Sequence, residues 1–276
     1  MNLYLQNIVG NFNLNNLSAD WLGVDFEKFS KEKLLFGYQQ KALENALKAL
    51  YLYFEEDKAN KPDFFRRYIN NGLLDDLSYS VKKESKTIKY LLEYDKDYPV
   101  VDDKIQSEYF INRMSFWMAT GSGKTLVIVK LLELLGYLMQ NNKIPKKDIL
   151  FLTYRDDLIE QFQKHINEFN SAGHNITINL IDLKQYAVSK QNPTLKFGNT
   201  LDVYYYRSDL ISDEQKDKIV NYKNYDNNGN WYILLDEAHK GDREDSKRQI
   251  FYSILSRNGF MFNFSATFTD ERDYAT

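Results

Sequence analysis

Lys124 and Thr125 close the run Met118-Ala119-Thr120-Gly121-Ser122-Gly123-Lys124-Thr125, which lies between a short apolar stretch and a long apolar helical pattern. Residues of these types in this order hold phosphate. Backbone N–H groups converge on a phosphate only where no Cβ crowds it, and Gly121 and Gly123 leave that room. The Lys124 ammonium reaches the β and γ phosphates, Thr125 offers its hydroxyl to Mg²⁺, and the N-terminus of the following helix adds partial positive charge. Thr120, Gly121, Ser122, Gly123, Lys124 and Thr125 are therefore the expected ATP-binding segment. Met118 stands where the usual pattern has glycine, so the loop is a variant.

A phosphate loop does not say what happens to the nucleotide. The run Leu234-Leu235-Asp236-Glu237-Ala238-His239 supplies a second acidic site after four apolar residues. There Asp236 is placed to orient Mg²⁺ and Glu237 to orient or deprotonate an attacking water. Lys124, Asp236 and Glu237 are the expected catalytic residues, and Thr125 and Asp236 the expected metal contacts.

These residues need a scaffold that brings two strand ends together. Short apolar runs at 114–118, 149–153, 176–181, 201–206, 231–235 and 260–264 alternate with helical patterns at 126–140, 156–169 and 246–257. Continuous rather than alternating hydrophobicity marks strands buried on both faces, and hence an α/β fold with a mostly parallel sheet between helix layers. The last helical pattern stops at Asn258-Gly259, where a left-handed C-cap is expected. Residues 1–110 read as a helical N-terminal region and 111–276 as the nucleotide-binding domain. In the first region one helix begins near Tyr38 and a second carries Pro62 in its first turn and ends at Asn71-Gly72. Residues 75–103, charged and weakly periodic, read as a surface insertion.

Composition narrows the partners. With 36 basic and 39 acidic residues the formal charge is -3, so no global basic field draws nucleic acid, and any contact with it must be local. There is no cysteine and there are three histidines, which leaves no thiolate metal site and disfavours zinc. No basic segment followed by an apolar core opens the chain. The most apolar stretch, 126–139, is interrupted by Lys130 and Glu133, so a cytoplasmic protein without a membrane anchor is expected.

Asp236-Glu237-Ala238-His239 resembles the motif that names the DEAH group of superfamily 2 helicases and translocases, and Ser265-Ala266-Thr267 resembles their coupling motif. Phe36-Gly37-Tyr38-Gln39 is similar to their aromatic-glutamine element, which implies that Gln39 contacts adenine. The segment around Arg155 and the run Tyr205-Tyr206-Arg207-Ser208-Asp209 resemble elements that contact the nucleic-acid backbone. Jointly, over roughly residues 36–269, these motifs are most similar to the ATP-dependent subunit of type III restriction enzymes. The resemblance implies a RecA-like P-loop domain in which His239, Ser265 and Thr267 couple nucleotide state to strand binding. It also implies hydrolysis driving movement along double-stranded DNA, with a modification or specificity subunit as partner. Family members carry a second RecA-like domain that supplies arginines to the ATP site, whereas this chain ends nine residues after Thr267. Unless completed by such a domain it is expected to bind ATP and turn it over very slowly. A helicase of another superfamily 2 branch and a non-catalytic nucleotide-binding remnant remain open. Pro62-Asp63 and Glu84-Ser85-Lys86 fit the letters of the family's nuclease site, but a helix start suits the first pair better.

Overall fold

The computed structural model describes residues 3–74, 77–81, 87–191, 199–238, 247–268, 273, 275 and 276. The six apolar runs form one sheet: β1 (Arg113–Trp117), β2 (Asp148–Thr153), β3 (Thr177–Asp182), β4 (Thr200–Arg207), β5 (Trp231–Asp236) and β6 (Phe260–Ser265). Their spatial order is β1-β6-β5-β2-β4-β3 and every pairing is parallel. Within β5, Tyr232 and Leu234 enter one core while Ile233 and Leu235 enter a second on the opposite face. Two-sided burial is why these strands read as unbroken apolar runs. Because all six run the same way, the ends of β1, β5 and β6 meet at one edge.

Among the described residues, seven α-helices longer than four residues frame the sheet: α1 (Tyr4–Gly10), α2 (Gly37–Leu50), α3 (Lys61–Asn70), α4 (Lys124–Gln140), α5 (Asp156–Asn170), α6 (Tyr186–Gln191) and α7 (Lys247–Leu255). A π-helical turn, Tyr51–Glu56, extends α2. As expected, Asn71-Gly72 ends α3 with Gly72 at φ +93°. The expected left-handed cap after α7 is absent, since Gly259 has no positive φ. A Cβ at 259 would lie 1.8 Å from the Trp231 carbonyl oxygen, so this glycine answers to close backbone approach at the start of β5.

The N-terminal helices share the nucleotide-side core. Leu43, Leu47 and Leu50 of α2 belong to the same buried cluster as Val127, Leu131 and Leu134 of α4. The segment expected to be a surface insertion is more deeply packed than its charge implied. Tyr79–Ser80, Lys104–Ile105 and Val100–Val101 form a small antiparallel ribbon, and Ile88, Tyr90, Leu91, Tyr98 and Ile105 are buried beside α7. Tyr98 donates to the Ser253 carbonyl at 2.8 Å, and Arg257 donates from Nε to Asp97 at 2.8 Å. Elements this short leave no period in the sequence.

The two charges inside α4 also have partners. Lys130, fully buried, donates to the carbonyls of Asp25 (2.6 Å) and Lys28 (3.0 Å) and pairs with Glu133. Glu133 in turn lies 3.2 Å from Nδ1 of His174, whose Nε2 is 2.8 Å from the Phe29 carbonyl. This network fastens the strap at residues 25–29 to the helix that follows the phosphate loop. Among the described residues no helix is long and apolar enough to cross a membrane. Lys130→Met removes the charge while leaving two buried carbonyls and Glu133 short of a donor. It is expected to cost roughly 3 kcal/mol of stability, measured by urea unfolding.

Candidate nucleotide-binding site

The loop between β1 and α4 is shaped by two left-handed glycines. Gly121 has φ +80° with nothing near the position of an added Cβ, and Gly123, the N-cap of α4, has φ +77°. A side chain at 121 would project into open space, one at 123 would meet Gln39, and either would carry left-handed strain. Thr125 follows in the first turn of α4, where unpaired N–H groups and the helix dipole favour an anion.

Lys124 is the centre of the site. Its Nζ lies 2.6 Å from Oε1 of Glu237 and 3.0 Å from Oδ1 of Asp236. Asp236 is the last residue of β5 and only 4% exposed. Burial raises its carboxyl above the ordinary range, against the opposing field of Lys124. Burial also works to lower the Lys124 ammonium, but Asp236 and Glu237 outweigh it and hold the group above its usual value. Glu237 sits at φ +58°, a left-handed conformation costing roughly 1–2 kcal/mol for a residue with a Cβ. Its own N–H donates to Oδ1 of Asp236 at 3.0 Å, which holds the two carboxylates in a tight turn.

The structure thus brings Lys124, Asp236 and Glu237 together as the sequence predicts. Ser265 closes β6 at the same edge, its hydroxyl 2.6 Å from the Thr267 carbonyl and 3.0 Å from the Thr267 N–H. His239 lies outside the described residues, so its expected coupling role has no geometry here, as do Glu84, Ser85 and Lys86. Asp63 lies in the first turn of α3.

Gln39 is 1% exposed and turned inward. Its Oε1 accepts from the Phe36 N–H at 2.8 Å, capping the start of α2 from the third helical position, and its Nε2 donates to the Ser122 carbonyl at 2.8 Å. Tyr38, quoted in the aromatic-glutamine element but given no role of its own, donates to the same carbonyl at 2.7 Å. Trp117, also missed, donates from Nε1 to the Ala266 carbonyl at 2.7 Å and so ties the end of β1 to the segment after β6. Only the position of each aromatic beside a recognised motif could have pointed to it.

Arg155 lies two residues past the end of β2, Arg207 is the last residue of β4, and both already have anionic partners. Arg155 forks onto Asp157 at 2.8 and 2.5 Å, and Arg207 forks onto Asp209 at 3.0 and 2.7 Å while reaching Asp156 at 2.9 Å.

The donor set fits ATP with Mg²⁺: a turn with two left-handed glycines, one ammonium, a threonine at a helix N-terminus and two carboxylates at the next strand end but one. Parallel sheet, phosphate loop and acidic strand end together define a RecA-like P-loop NTPase domain. The chain belongs to the type III restriction enzyme, res subunit, family, whose model matches residues 32–270. No curated protein matches it. Among solved structures it is similar to the crystal structure of T4 UvsW, at 13% identity and a TM-score of 0.37 over 83% of this chain and 42% of that one. The chain therefore spans less than half the length of that structure.

Lys124→Ala leaves Asp236 buried without its ammonium. A carboxyl whose folded-state pKa is raised makes the fold less stable as pH climbs past the unfolded value, and removing Lys124 raises it further. The variant is expected to lose roughly 3 kcal/mol at pH 8 and clearly less at pH 5, as read by thermal melts at the two pH values.

Proposed function

We propose that this chain is the first motor domain of a cytoplasmic DNA translocase of the type III restriction enzyme kind. It binds ATP with Mg²⁺ at the loop 120–125 and couples hydrolysis to movement on double-stranded DNA when a second RecA-like domain completes the site. The observation that carries this reading is the convergence of Lys124, Asp236 and Glu237 behind two left-handed glycines at one edge of a parallel sheet.

Lys124 exchanges its two carboxylate partners for phosphate oxygens. That exchange frees Asp236 to hold Mg²⁺ together with Thr125, and leaves Glu237 free to orient or deprotonate the attacking water. Mg²⁺, when bound, neutralises charge on the phosphate oxygens. Ser265 and Thr267, with His239, link the acidic pair to the surface that grips nucleic acid, and Arg155 and Arg207 bind phosphates of the DNA backbone without reading sequence. Arginines from the second domain are worth on the order of 10³ to 10⁵ in rate. A modification or specificity subunit supplies target recognition.

ATP-binding titrations and hydrolysis assays, with and without duplex DNA, test this reading. Lys124→Ala is expected to weaken ATP about 10- to 100-fold, the worth of lost bonds to a charged group. Turnover is expected to stay very low until a second RecA-like domain is supplied, and then to rise with DNA. ATP affinity indifferent to Lys124 would remove the loop from the mechanism. Binding without turnover, even with a second domain present, would leave a nucleotide-binding remnant.

A further inference from the structure

The guanidinium of Arg207 takes its direction from outside β4. Its Nε and Nη2 fork onto the two carboxylate oxygens of Asp209 at 3.0 and 2.7 Å. Asp209 lies in the 3₁₀ turn Ser208–Leu210, which closes one backbone bond, from the Ile211 N–H to the Ser208 carbonyl, and such turns hold themselves poorly. Here α7 holds it. Tyr252 donates its hydroxyl to the Ser208 carbonyl at 2.8 Å, and Arg248, one turn earlier on the same helix face, donates from Nη2 to the Asp209 carbonyl at 3.3 Å. Lys247 pairs with Asp213 at 2.5 Å, just beyond the turn. α7 is itself anchored, since Ile250, Ile254 and Leu255 are buried in the same core as Ile233 and Leu235 of β5. The strand that ends in Asp236 thus supports the helix, the helix holds the turn, and the turn directs the arginine.

We propose that Tyr252 and Arg248 are positioning residues that aim Arg207 at a phosphate of the DNA backbone. The proposal rests on the assignment of Arg207 to nucleic acid. A bidentate fork is rigid, so a shift of Asp209 carries the guanidinium with it. The fork leaves Nη1 as the outward corner. Its partner there, Asp156 at 2.9 Å, is exposed and is the one a phosphate displaces at least cost. Tyr252 is buried, and burial pushes its phenol above the ordinary range, so the hydroxyl remains a donor to Ser208. A phenylalanine ring would fill the same space, which leaves the bond to the turn as what the hydroxyl adds.

The test is a double-mutant cycle read against salt. Affinities for duplex DNA over a range of salt concentrations are measured on the full chain, on Tyr252→Phe, Arg248→Gln and Arg207→Gln, and on each of the first two combined with Arg207→Gln. Melting temperatures close to that of the parent chain show that each variant is folded. Arg207→Gln is expected to weaken DNA about tenfold and to flatten the slope of log affinity against log salt by about 0.9, the mark of one phosphate contact. Tyr252→Phe is expected to weaken DNA about threefold, within the worth of one neutral hydrogen bond, and Arg248→Gln somewhat less. Both flatten the slope, and neither weakens DNA further once Arg207 is gone. Support of the fold alone would leave the salt slope unmoved. Losses that add to that of Arg207→Gln, or single variants that bind as the parent chain does, overturn the proposal. DNA binding absent from the parent chain, or indifferent to Arg207→Gln, would instead overturn the assignment of that arginine and the proposal with it.

Discussion

Lys124 is an ammonium held between two carboxylates at the edge of a sheet, and most of the architecture follows from keeping it there. Removing such charges from water costs several kcal/mol per ion, offset only when partners stand at hydrogen-bond distance with little freedom. Lys124 comes from a loop after β1, while Asp236 and Glu237 come from the end of β5, two positions away in a sheet of six. Only parallel strands put those ends on the same side. The left-handed backbone at Glu237 is the local cost of aiming both carboxylates at one nitrogen.

The same requirement explains why the N-terminal helices are inseparable from the sheet. The loop with two left-handed glycines is held by one backbone bond of its own, Ser122 N–H to the Ala119 carbonyl at 3.1 Å, and by bonds from elsewhere. α2 packs its apolar face on α4 while its first turn holds the Ser122 carbonyl. Lys130, one and a half turns into α4, fastens the strap that precedes α2 to the same helix. The loop is thus gripped from two sides through one helix pair, and that grip depends on residues far upstream of it.

What the sequence disclosed, and what it withheld, divides along physical lines. Six strands and three of the helices between them were legible because burial on both faces leaves unbroken apolar runs, Asp236 and Glu237 because they end such a run, and Lys124 because a glycine-rich turn separates it from one. The seven-residue α1 was not, since two turns carry too little period. Tyr98 and Tyr90 lay among charges that hid their burial against α7. Gly259 read as a helix cap because an Asn-Gly pair has the same letters whether it serves φ or close approach. The inward turn of Gln39 was hidden for a different reason: its partner carbonyl is 83 residues away.

The three cations that the proposed function assigns to phosphate share one arrangement. Lys124 and Arg155 follow β1 and β2 and Arg207 ends β4, all at the same edge of the sheet, and each is already paired with carboxylates of this chain. Under the proposed function, binding at each is an exchange of an internal carboxylate for an external phosphate rather than capture by a bare charge. Exchange costs affinity, because the pair that is broken offsets the pair that is made. At the exposed Arg155 the offset is small, since surface ion pairs contribute little in water, and at the half-buried Arg207 it is larger. At Lys124 it is large, and what it releases are the two groups that chemistry needs, Asp236 and Glu237. A net charge of -3 fits this design: attraction at long range is weak, and selectivity for phosphate rests on short-range geometry at one edge of the sheet.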